Sequence, residues 1–506
     1  MRDHWTKTTA RAAGAAAALA LLAAPSGLAQ TNQYVVKGNA GANLPFTTWT
    51  DAAPSIQDAI SACSSGDVVW VRAATYDEGG VTNWPAGSVL TSRVAVTTAY
   101  VTVRSEHNDP TNTIIKGRFD TGEPGAEGTV TNGPSAARGV YLADNTRLIG
   151  FTITNGATLA AGDLHGAGVL APTTAAVLSN CVIVGNAAYY PGSGYGGGVR
   201  YGTLYNCVIE GNVAGFAAGV SYCTLYHCSV VSNVARQSGG GASYGAAYDS
   251  VLSGNRSGAN GGGADGSTLV RCTLSGNTAS QSGGGAYQAT LTGCIVSNNT
   301  TLGGGGVRGG TLSNCWLVAN YSSWGGGAHE ATLYNCLIMG NEARGYQTRG
   351  GGAASSRLYN CTVVGNRAGY ITNTNTPAPG GGGVSGCGLI NSIVYYNQDD
   401  TYGYDNYRAS TNQYSCTTPE DPGWTEADHN TAEEPRFMAN GSGYGTNDFA
   451  AGNYQLRGSS PCVNAGTNGS WTAGVDLAGN PRIRYGVVDM GAFECIVNRG
   501  VMIRVR

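Results

Sequence analysis

The sequence is poor in charged side chains, and above all in lysine. Only 12% of its 506 residues are charged, and its lysines are Lys7, Lys37 and Lys116. With 42% hydrophobic residues, this composition excludes a disordered linker, which combines high charge with few apolar residues. The net charge of −3 gives no electrostatic reason to expect nucleic acid or an anionic membrane as a partner.

Long apolar runs are also scarce. One Ala-rich run, residues 12–24, follows the basic residues Arg2, Lys7 and Arg11 and precedes the small residues Gly27-Leu28-Ala29. This order is typical of a secretory signal peptide. We therefore expect export to the periplasm, cell surface or medium, no lipoprotein anchor, and no transmembrane segment in the mature chain.

Glycine is abundant, at 80 residues, but without the strict triplet period of collagen. Instead, a unit of the form L-x-x-C-x-[IVL]-x-x-N recurs, followed by GGG[AV], often with a period of 21 or 22 residues. The cysteine position holds Cys181, Cys207, Cys228, Cys272, Cys294, Cys315, Cys336 and Cys361, with Ser250 and Ser392 as replacements. The asparagine position holds Asn186, Asn212, Asn233, Asn255, Asn277, Asn299, Asn320, Asn341, Asn366 and Asn397.

This spacing predicts an all-β fold of stacked coils. The Cys and the aliphatic residue two positions on share one face of a strand, whereas the Leu three positions before the Cys has the opposite parity, so the chain bends between them. Asn suits the next corner because it tolerates left-handed backbone. The sequence therefore predicts a parallel β-helix with coils of about 21–26 residues, in which Cys stacks on Cys and Asn on Asn about 4.8 Å apart.

Four segments follow from this pattern. We assign residues 1–29 to the signal peptide, 32–135 to an N-terminal cap and first coils, 136–398 to the repeat array, and 399–506 to C-terminal coils and a cap. An amphipathic stretch, Pro54 to Cys63, predicts a short helix that covers the open end of the solenoid.

These features resemble known families. The GGG[AV] and [IVL]-x-x-N phrases are similar to polymorphic outer membrane protein repeats, with an aliphatic residue in place of Phe. The tail phrases SSPCVNAGT (459–467), DLAGNPRI (476–483) and VDMGAFE (488–494) resemble the choice-of-anchor Q group of exported proteins. The resemblance implies a right-handed β-helix of the pectin-lyase-like class in the cell envelope or outside the cell, and no catalytic assignment.

We interpret the repeated cysteines as small inward side chains, because Ser replaces them twice without breaking the repeat. Redox and metal roles remain alternatives. A disulfide among Cys416, Cys462 and Cys495 is a further possibility. Asp476, Arg482, Asp489 and Glu494 are expected to tie the turns of a C-terminal cap, with a calcium site as the alternative.

All long insertions between Asn and GGG fall at one corner, which is often the binding face of a solenoid. Aromatic rings stack on sugars and Arg pairs with carboxylates, so we hypothesise a site for an acidic glycan there. Its candidate residues are Tyr189, Tyr190, Arg236, Arg256, Trp324, Arg344, Tyr346, Arg349, Arg367 and Tyr370. The alternative is ordinary solvated loop decoration.

The favoured function is glycan or surface-partner binding, as in an adhesin. A polysaccharide lyase or glycoside hydrolase acting on an acidic polysaccharide is one alternative, and a structural envelope rod is another. Catalytic residues cannot be assigned, because the acidic residues occupy different positions of the repeat and His329-Glu330 is more typical of a surface turn. We expect no cofactor and no metal.

Overall fold

The structure is a computed structural model that describes residues 30–120, 134–158, 162–188, 194–345, 348–370, 380–400, 405–484 and 486–496. It divides into two compact units, residues 1–268 and 269–506, and the strand Thr268–Val270 spans the division. The predicted signal peptide lies outside the described residues.

Each coil of the repeat passes through the same series of short strands. In one coil these are Val199–Arg200, Thr203–Tyr205, Val208–Glu210 and Val213–Ala214. They belong to four sheets, which we name the glycine sheet (after the GGG run), the leucine sheet, the aliphatic sheet (after the Cys) and the corner sheet (after the Asn). Because each strand pairs with its equivalent in the next coil, repeated residues stack in rows.

Among its described residues, the first unit, residues 1–268, contains strands of all four sheets and one helix, Ile56–Ser61. The leucine sheet comprises Asn32–Val35, Val68–Val71, Thr102–Ser105, Arg147–Ile149, Val177–Ser179, Thr203–Tyr205, Thr224–Tyr226 and Ala246–Tyr248. The glycine sheet comprises Thr91–Val96, Ala137–Leu142, Val169–Leu170, Val199–Arg200, Val220–Ser221, Ala242–Ser243 and Ala264–Asp265. The aliphatic sheet comprises Ala74–Tyr76, Thr113–Lys116, Thr152–Thr154, Val182–Val184, Val208–Glu210, Ser229–Val231 and Val251–Ser253. The corner sheet comprises Val213–Ala214, Val234–Ala235 and Arg256–Ser257.

The second unit, residues 269–506, repeats this plan. Its leucine-sheet strands are Thr290–Thr292, Thr311–Ser313, Thr332–Tyr334, Arg357–Tyr359, Gly388–Ile390 and Thr411–Gln413. Its glycine-sheet strands are Ala286–Tyr287, Val307–Arg308, Ala328–His329, Ala353–Ala354, Val384–Ser385 and Tyr407–Arg408. Its aliphatic-sheet strands are Thr273–Ser275, Ile295–Ser297, Trp316–Val318, Leu337–Met339, Thr362–Val364, Ile393–Val394 and Cys416–Thr417. Its corner strands are Thr278–Ala279, Tyr321–Ser322, Glu342–Gly345, Arg367–Tyr370 and Gln398–Asp399. An antiparallel pair, Phe437–Ala439 with Asn453–Leu456, and three short helical turns, Glu426–Asp428, Gly445–Asp448 and Ser470–Thr472, complete it.

Strand pairing between coils is parallel and in register, with Leu204 opposite Leu225 and Ile209 opposite Val230. The N-terminal helix begins at a Ser55 cap, whose Oγ accepts a hydrogen bond from the Asp58 N–H. The predicted fold class, an all-β right-handed parallel β-helix with a short N-terminal helix, is confirmed.

The asparagines form hydrogen-bonded ladders inside the corners. Asn299 Nδ2 donates to Asn320 Oδ1 at 3.0 Å, and Asn320 Nδ2 donates to Asn341 Oδ1 at 2.9 Å. The same Oδ1 also accepts a backbone bond, as from the Asn299 N–H to Asn320 Oδ1 at 3.0 Å. These side chains are fully buried, so the ladder satisfies backbone and amide groups that would otherwise lack partners. In the first unit the ladder runs through Asn186, Asn212, Asn233 and Asn255.

The hydrogen bonds at the cysteine position explain why serine replaces cysteine there in some coils. The Cys294 thiol accepts the Cys272 backbone N–H at 3.4 Å, and the Ser250 hydroxyl accepts the Cys228 N–H at 3.0 Å. The position therefore requires a small buried side chain with a hydrogen-bonding atom, which both residues provide. Every cysteine of the described residues is a thiol, including Cys416, Cys462 and Cys495.

Four buried charged residues organise the C-terminal tail. Arg482 Nη1 lies 3.2 Å from Glu494 Oε1 and donates to the Gly491 carbonyl. The Asp476 carboxylate accepts the backbone N–H of Glu494 at 2.8 Å, and that of Asp489 accepts the Cys495 N–H at 2.6 Å. The group therefore ties turns of the tail together.

Candidate functional site

A left-handed residue, a glycine in most coils and Ala217 in one, shapes the outer surface of the repeat. The first glycine of the GGG run has positive φ, for example +61° at Gly325, and a β-carbon there would lie 2.1 Å from the Ala328 carbonyl oxygen and 3.1 Å from the His329 β-carbon. The chain thus folds back beside its own glycine-sheet strand. Two rows of side chains meet as a result: the residues just before this glycine, here the pre-glycine row, and the second residues of the glycine-sheet strands, here the strand row.

In the second unit these rows bring together cationic and aromatic side chains. Arg308 and His329 are neighbours in the strand row, and Gly303, Trp324 and Arg349 are neighbours in the pre-glycine row. The Trp324 and His329 rings lie 6.2 Å apart between centroids. We name Arg308, Trp324, His329, Glu330 and Arg349 the His329 cluster.

Hydrogen bonds fix Arg308 at the centre of the His329 cluster. Its Nη1 donates to Ser282 Oγ at 2.6 Å, and its Nε donates to Glu330 Oε2 at 3.1 Å. The other Glu330 oxygen lies 3.7 Å from His329 Nε2. Glu330 thus holds the guanidinium and the imidazole side by side.

His329 is 7% exposed, and its Nδ1 has no hydrogen-bond partner among the described residues. Burial lowers the pKa of this imidazole, Glu330 opposes that shift, and Arg308 and Arg349 reinforce it. This shift favours the neutral form of the ring. The position of Glu330 near Nε2 favours a proton on that nitrogen and a lone pair on Nδ1.

Gly303 leaves space in front of these groups. A β-carbon at this position would lie 3.8 Å from both Arg308 Nη1 and His329 Nδ1, so a side chain would stand directly against them. The neighbouring pre-glycine positions carry Trp324 and Ser282, which makes Gly303 a gap in the row. A ligand atom in this gap would meet a guanidinium N–H, the imidazole lone pair and the Gln281 carbonyl oxygen, which would lie 3.7 Å from the β-carbon.

The structure places the other predicted glycan residues elsewhere. Arg367 Nε pairs with Asp400 at 2.7 Å, and Arg344 Nη1 lies 3.8 Å from the buried Glu342. In the first unit, Arg256 is exposed on a corner strand and Arg236 is half-buried. Tyr189, Tyr190 and Tyr346, and the side chain of Tyr370, lie outside what the structure describes. Of the predicted set, Trp324 and Arg349 lie in the His329 cluster.

Sequence reasoning missed three members of the cluster: Arg308, His329 and Glu330. The sequence feature that could have identified two of them is their spacing from the GGG run, since Arg308 and His329 both stand four residues after its first glycine. Of the pair predicted to form an ordinary surface turn, Glu330 does stand at an exposed bend with a φ of +54°, whereas His329 is buried on a glycine-sheet strand.

Two absences apply to the described part of the chain. It contains no group of three or more His, Cys, Asp or Glu side chains that could hold a metal ion. None of its helices combines the length and the apolar character needed to cross a membrane.

The fold and this site define a parallel β-helix with an outer cationic and aromatic cluster. No protein-family model matches the chain, and no curated protein is similar to it in sequence. Similar solved structures include the alginate lyase AlyF-OU02 in complex with G6, with 11% identity, 87% of this chain and 93% of that chain covered, and a TM-score of 0.41. They also include the pectate lyase Pel9A, which has 13% identity and a TM-score of 0.29, with 93% of this chain and 98% of that chain covered. A third is the pectin methylesterase of Aspergillus niger, which has 18% identity and a TM-score of 0.27, with 56% of this chain and 81% of that chain covered.

Proposed function

We propose that this chain is an exported β-helix protein of the choice-of-anchor Q type that binds an acidic polysaccharide through the His329 cluster. The observation that supports binding is that the Arg308 guanidinium lies beside the gap at Gly303, while Arg349 stands two places along the pre-glycine row, next to Trp324. Arg349 is exposed and forms no ion pair with any described residue, so it is available for a ligand carboxylate. The Trp324 indole beside them offers a surface for the apolar face of a sugar.

The binding test compares arginines of the second unit. Arg349→Ala removes an exposed guanidinium of the His329 cluster, whereas Arg344→Ala removes an exposed one that is paired with Glu342. We expect Arg349→Ala to weaken retention of the mature chain on polygalacturonate or alginate about tenfold or more, since charge-assisted hydrogen bonds contribute about 1.5–3 kcal/mol. Arg344→Ala is the charge-matched control and should retain wild-type binding.

Equal losses in the two variants would refute the assignment, because they would indicate non-specific attraction by net positive charge. Unchanged retention in Arg349→Ala would refute it as well. Circular dichroism of both variants checks that each is folded.

A second candidate function is β-elimination on a uronate polymer, and one observation favours it. The His329 Nδ1 lone pair faces the same gap as the guanidinium of Arg308. Elimination requires a base for the proton next to the carboxylate and cations that neutralise that carboxylate. The base would take the proton, the C–H electrons would form the double bond, and the glycosidic oxygen would leave and take up a proton from water.

One incubation separates the candidates. The mature chain is mixed with polygalacturonate or alginate, and both retention and new unsaturated or reducing ends are measured. Retention without new ends supports binding, whereas new unsaturated ends that vanish in His329→Ala support elimination. The absence of both favours a structural rod, which the sequence also allows.

A further inference from the structure

In the first unit the strand row carries a different set of side chains. Arg200, Ser221, Ser243 and Asp265 follow one another in register, each about 4.8 Å from the next. Directly after the first three come Tyr201, Tyr222 and Tyr244, which we name the tyrosine ladder. Their rings stack with centroids 5.3 Å apart at both steps.

The tyrosine ladder ends in an uncovered ring. Stacking occupies both faces of Tyr222, and the Arg200 guanidinium lies 5.3 Å from the centre of the Tyr201 ring. Beyond Tyr244 the ladder position is Gly266, where a β-carbon would lie 3.0 Å from Cδ1 and Cε1 of the Tyr244 ring, with nothing else within 4 Å. Because Gly266 has no side chain, this face of Tyr244 stays open, and the residue is 49% exposed.

A carboxyl group adjoins that open face. Asp265 directly precedes Gly266, is 8% exposed, and forms no side-chain hydrogen bond or ion pair with any described residue. Burial raises its pKa to about 6, and Asp265 is the main cause of the raised pKa of the Tyr244 phenol. A buried carboxyl without a partner is costly, and a ligand with hydrogen-bond donors would relieve this cost.

We propose that Tyr244 and Asp265 form a second carbohydrate subsite, made of other residues than the His329 cluster, which takes an uncharged sugar ring. The C–H face of the sugar would lie on the open side of Tyr244, and its hydroxyl groups would donate to the Asp265 carboxyl.

The surrounding charges decide between ligand classes. An anionic sugar would meet the Asp265 carboxyl, and the cation of this row within the first unit, Arg200, is three rungs or about 14 Å away. An ammonium group would offer donors only, whereas the Ser243 hydroxyl on the next rung also needs an acceptor for its proton. A sugar with adjacent hydroxyls satisfies both residues.

Affinity electrophoresis of the mature chain in gels that contain galactomannan, hydroxyethylcellulose, chitosan or polygalacturonate tests this proposal. Tyr244→Ala removes the platform, and Asp265→Ala removes the acceptor. Gly266→Asn covers the ring while keeping a residue that tolerates the left-handed backbone, as Asn206 does at φ +51°. Tyr248→Ala is the matched control, because Tyr248 stacks on Tyr226 in the leucine sheet, away from the subsite.

We expect Tyr244→Ala, Asp265→Ala and Gly266→Asn each to weaken retention by a neutral polymer about tenfold, with Tyr248→Ala unchanged. All four variants should keep wild-type retention by polygalacturonate. Arg349→Ala should lose retention by polygalacturonate and keep retention by the neutral polymers, so the two sites can fail independently. The proposal is overturned if the wild-type chain is retained by neither neutral polymer, if retention is confined to chitosan, or if Tyr244→Ala behaves like Tyr248→Ala.

Discussion

Replacing Asn320 by Leu should be among the most destabilising single changes in the second unit. The Asn320 side chain is fully buried and takes part in four hydrogen bonds. Its Nδ2 donates to the Val296 carbonyl and to Asn341 Oδ1, and its Oδ1 accepts the backbone and side-chain N–H groups of Asn299. Leu has a similar volume but none of these bonds.

The size of the expected destabilisation follows from the hydrogen-bonding groups that lose their partner when Asn320 is replaced. The Asn299 backbone N–H and the Val296 carbonyl each lose a partner, at about 1–3 kcal/mol for a buried unsatisfied group. The two amide contacts to Asn299 and Asn341 are also lost, at about 0.5–1.5 kcal/mol each. Since neighbouring losses do not add fully, we expect a decrease of about 4 kcal/mol in the free energy of unfolding.

Urea unfolding followed by circular dichroism measures this decrease, and amide hydrogen exchange shows whether it is local to residues 296–345. Asn298→Gly is the matched control, because Asn298 is exposed, directly precedes the ladder residue Asn299 in the neighbouring coil, and has a φ of +55° that glycine adopts easily. The control should change stability by less than about 0.5 kcal/mol. A loss below about 1 kcal/mol for Asn320→Leu would show that the ladder contributes little to stability.

Three further changes test other parts of the fold. Gly325→Ala should destabilise the second unit by more than about 2 kcal/mol in urea unfolding, since it adds left-handed strain and a clash with the Ala328 carbonyl. Cys315→Ser should keep near-wild-type stability, whereas Cys315→Val should lose about 1–3 kcal/mol in the same assay, because the Cys294 N–H loses its acceptor. Burial raises the pKa of Glu494 to about 8, above its unfolded value of 4.5, so its contribution to stability is full below about pH 4.5 and is lost as the pH rises through 8. Melting temperatures between pH 5 and 9 should therefore decline less in Glu494→Gln than in the wild type.

The fold could be predicted because every coil repeats the same alternation of inward and outward side chains. Leu333, Cys336 and Ile338 alternate in a way that requires a bend and two strands, and Asn341 then fits the next corner. What spacing could not show was the hydrogen bonding of the cysteine position. Cys294 appears in the sequence as a small apolar residue, and only the stacked backbone shows that its sulfur accepts an N–H from the coil before.

The candidate site was harder to predict because its members come from different coils. Arg308, His329 and Arg349 are about 20 residues apart in sequence, and the fold brings them together through the turn at each GGG run. Insertion length drew attention to the corner after each Asn, where Arg344 and Arg367 pair with neighbouring acids. Arg308 and His329 each stand 14 residues after a repeat cysteine, Cys294 and Cys315, so they occupy one column of the repeat.

The asparagine ladder has a consequence for how the gene can change. Each rung of the second unit accepts the same bonds from the rung before and gives the same bonds to the rung after, as from Asn299 through Asn320 to Asn341. Removal of one period, such as residues 300–320, would join two ends with matching donors, acceptors and strand registers. Unequal recombination within the repeats can therefore lengthen or shorten the protein by whole coils without the need for compensating substitutions at the junction.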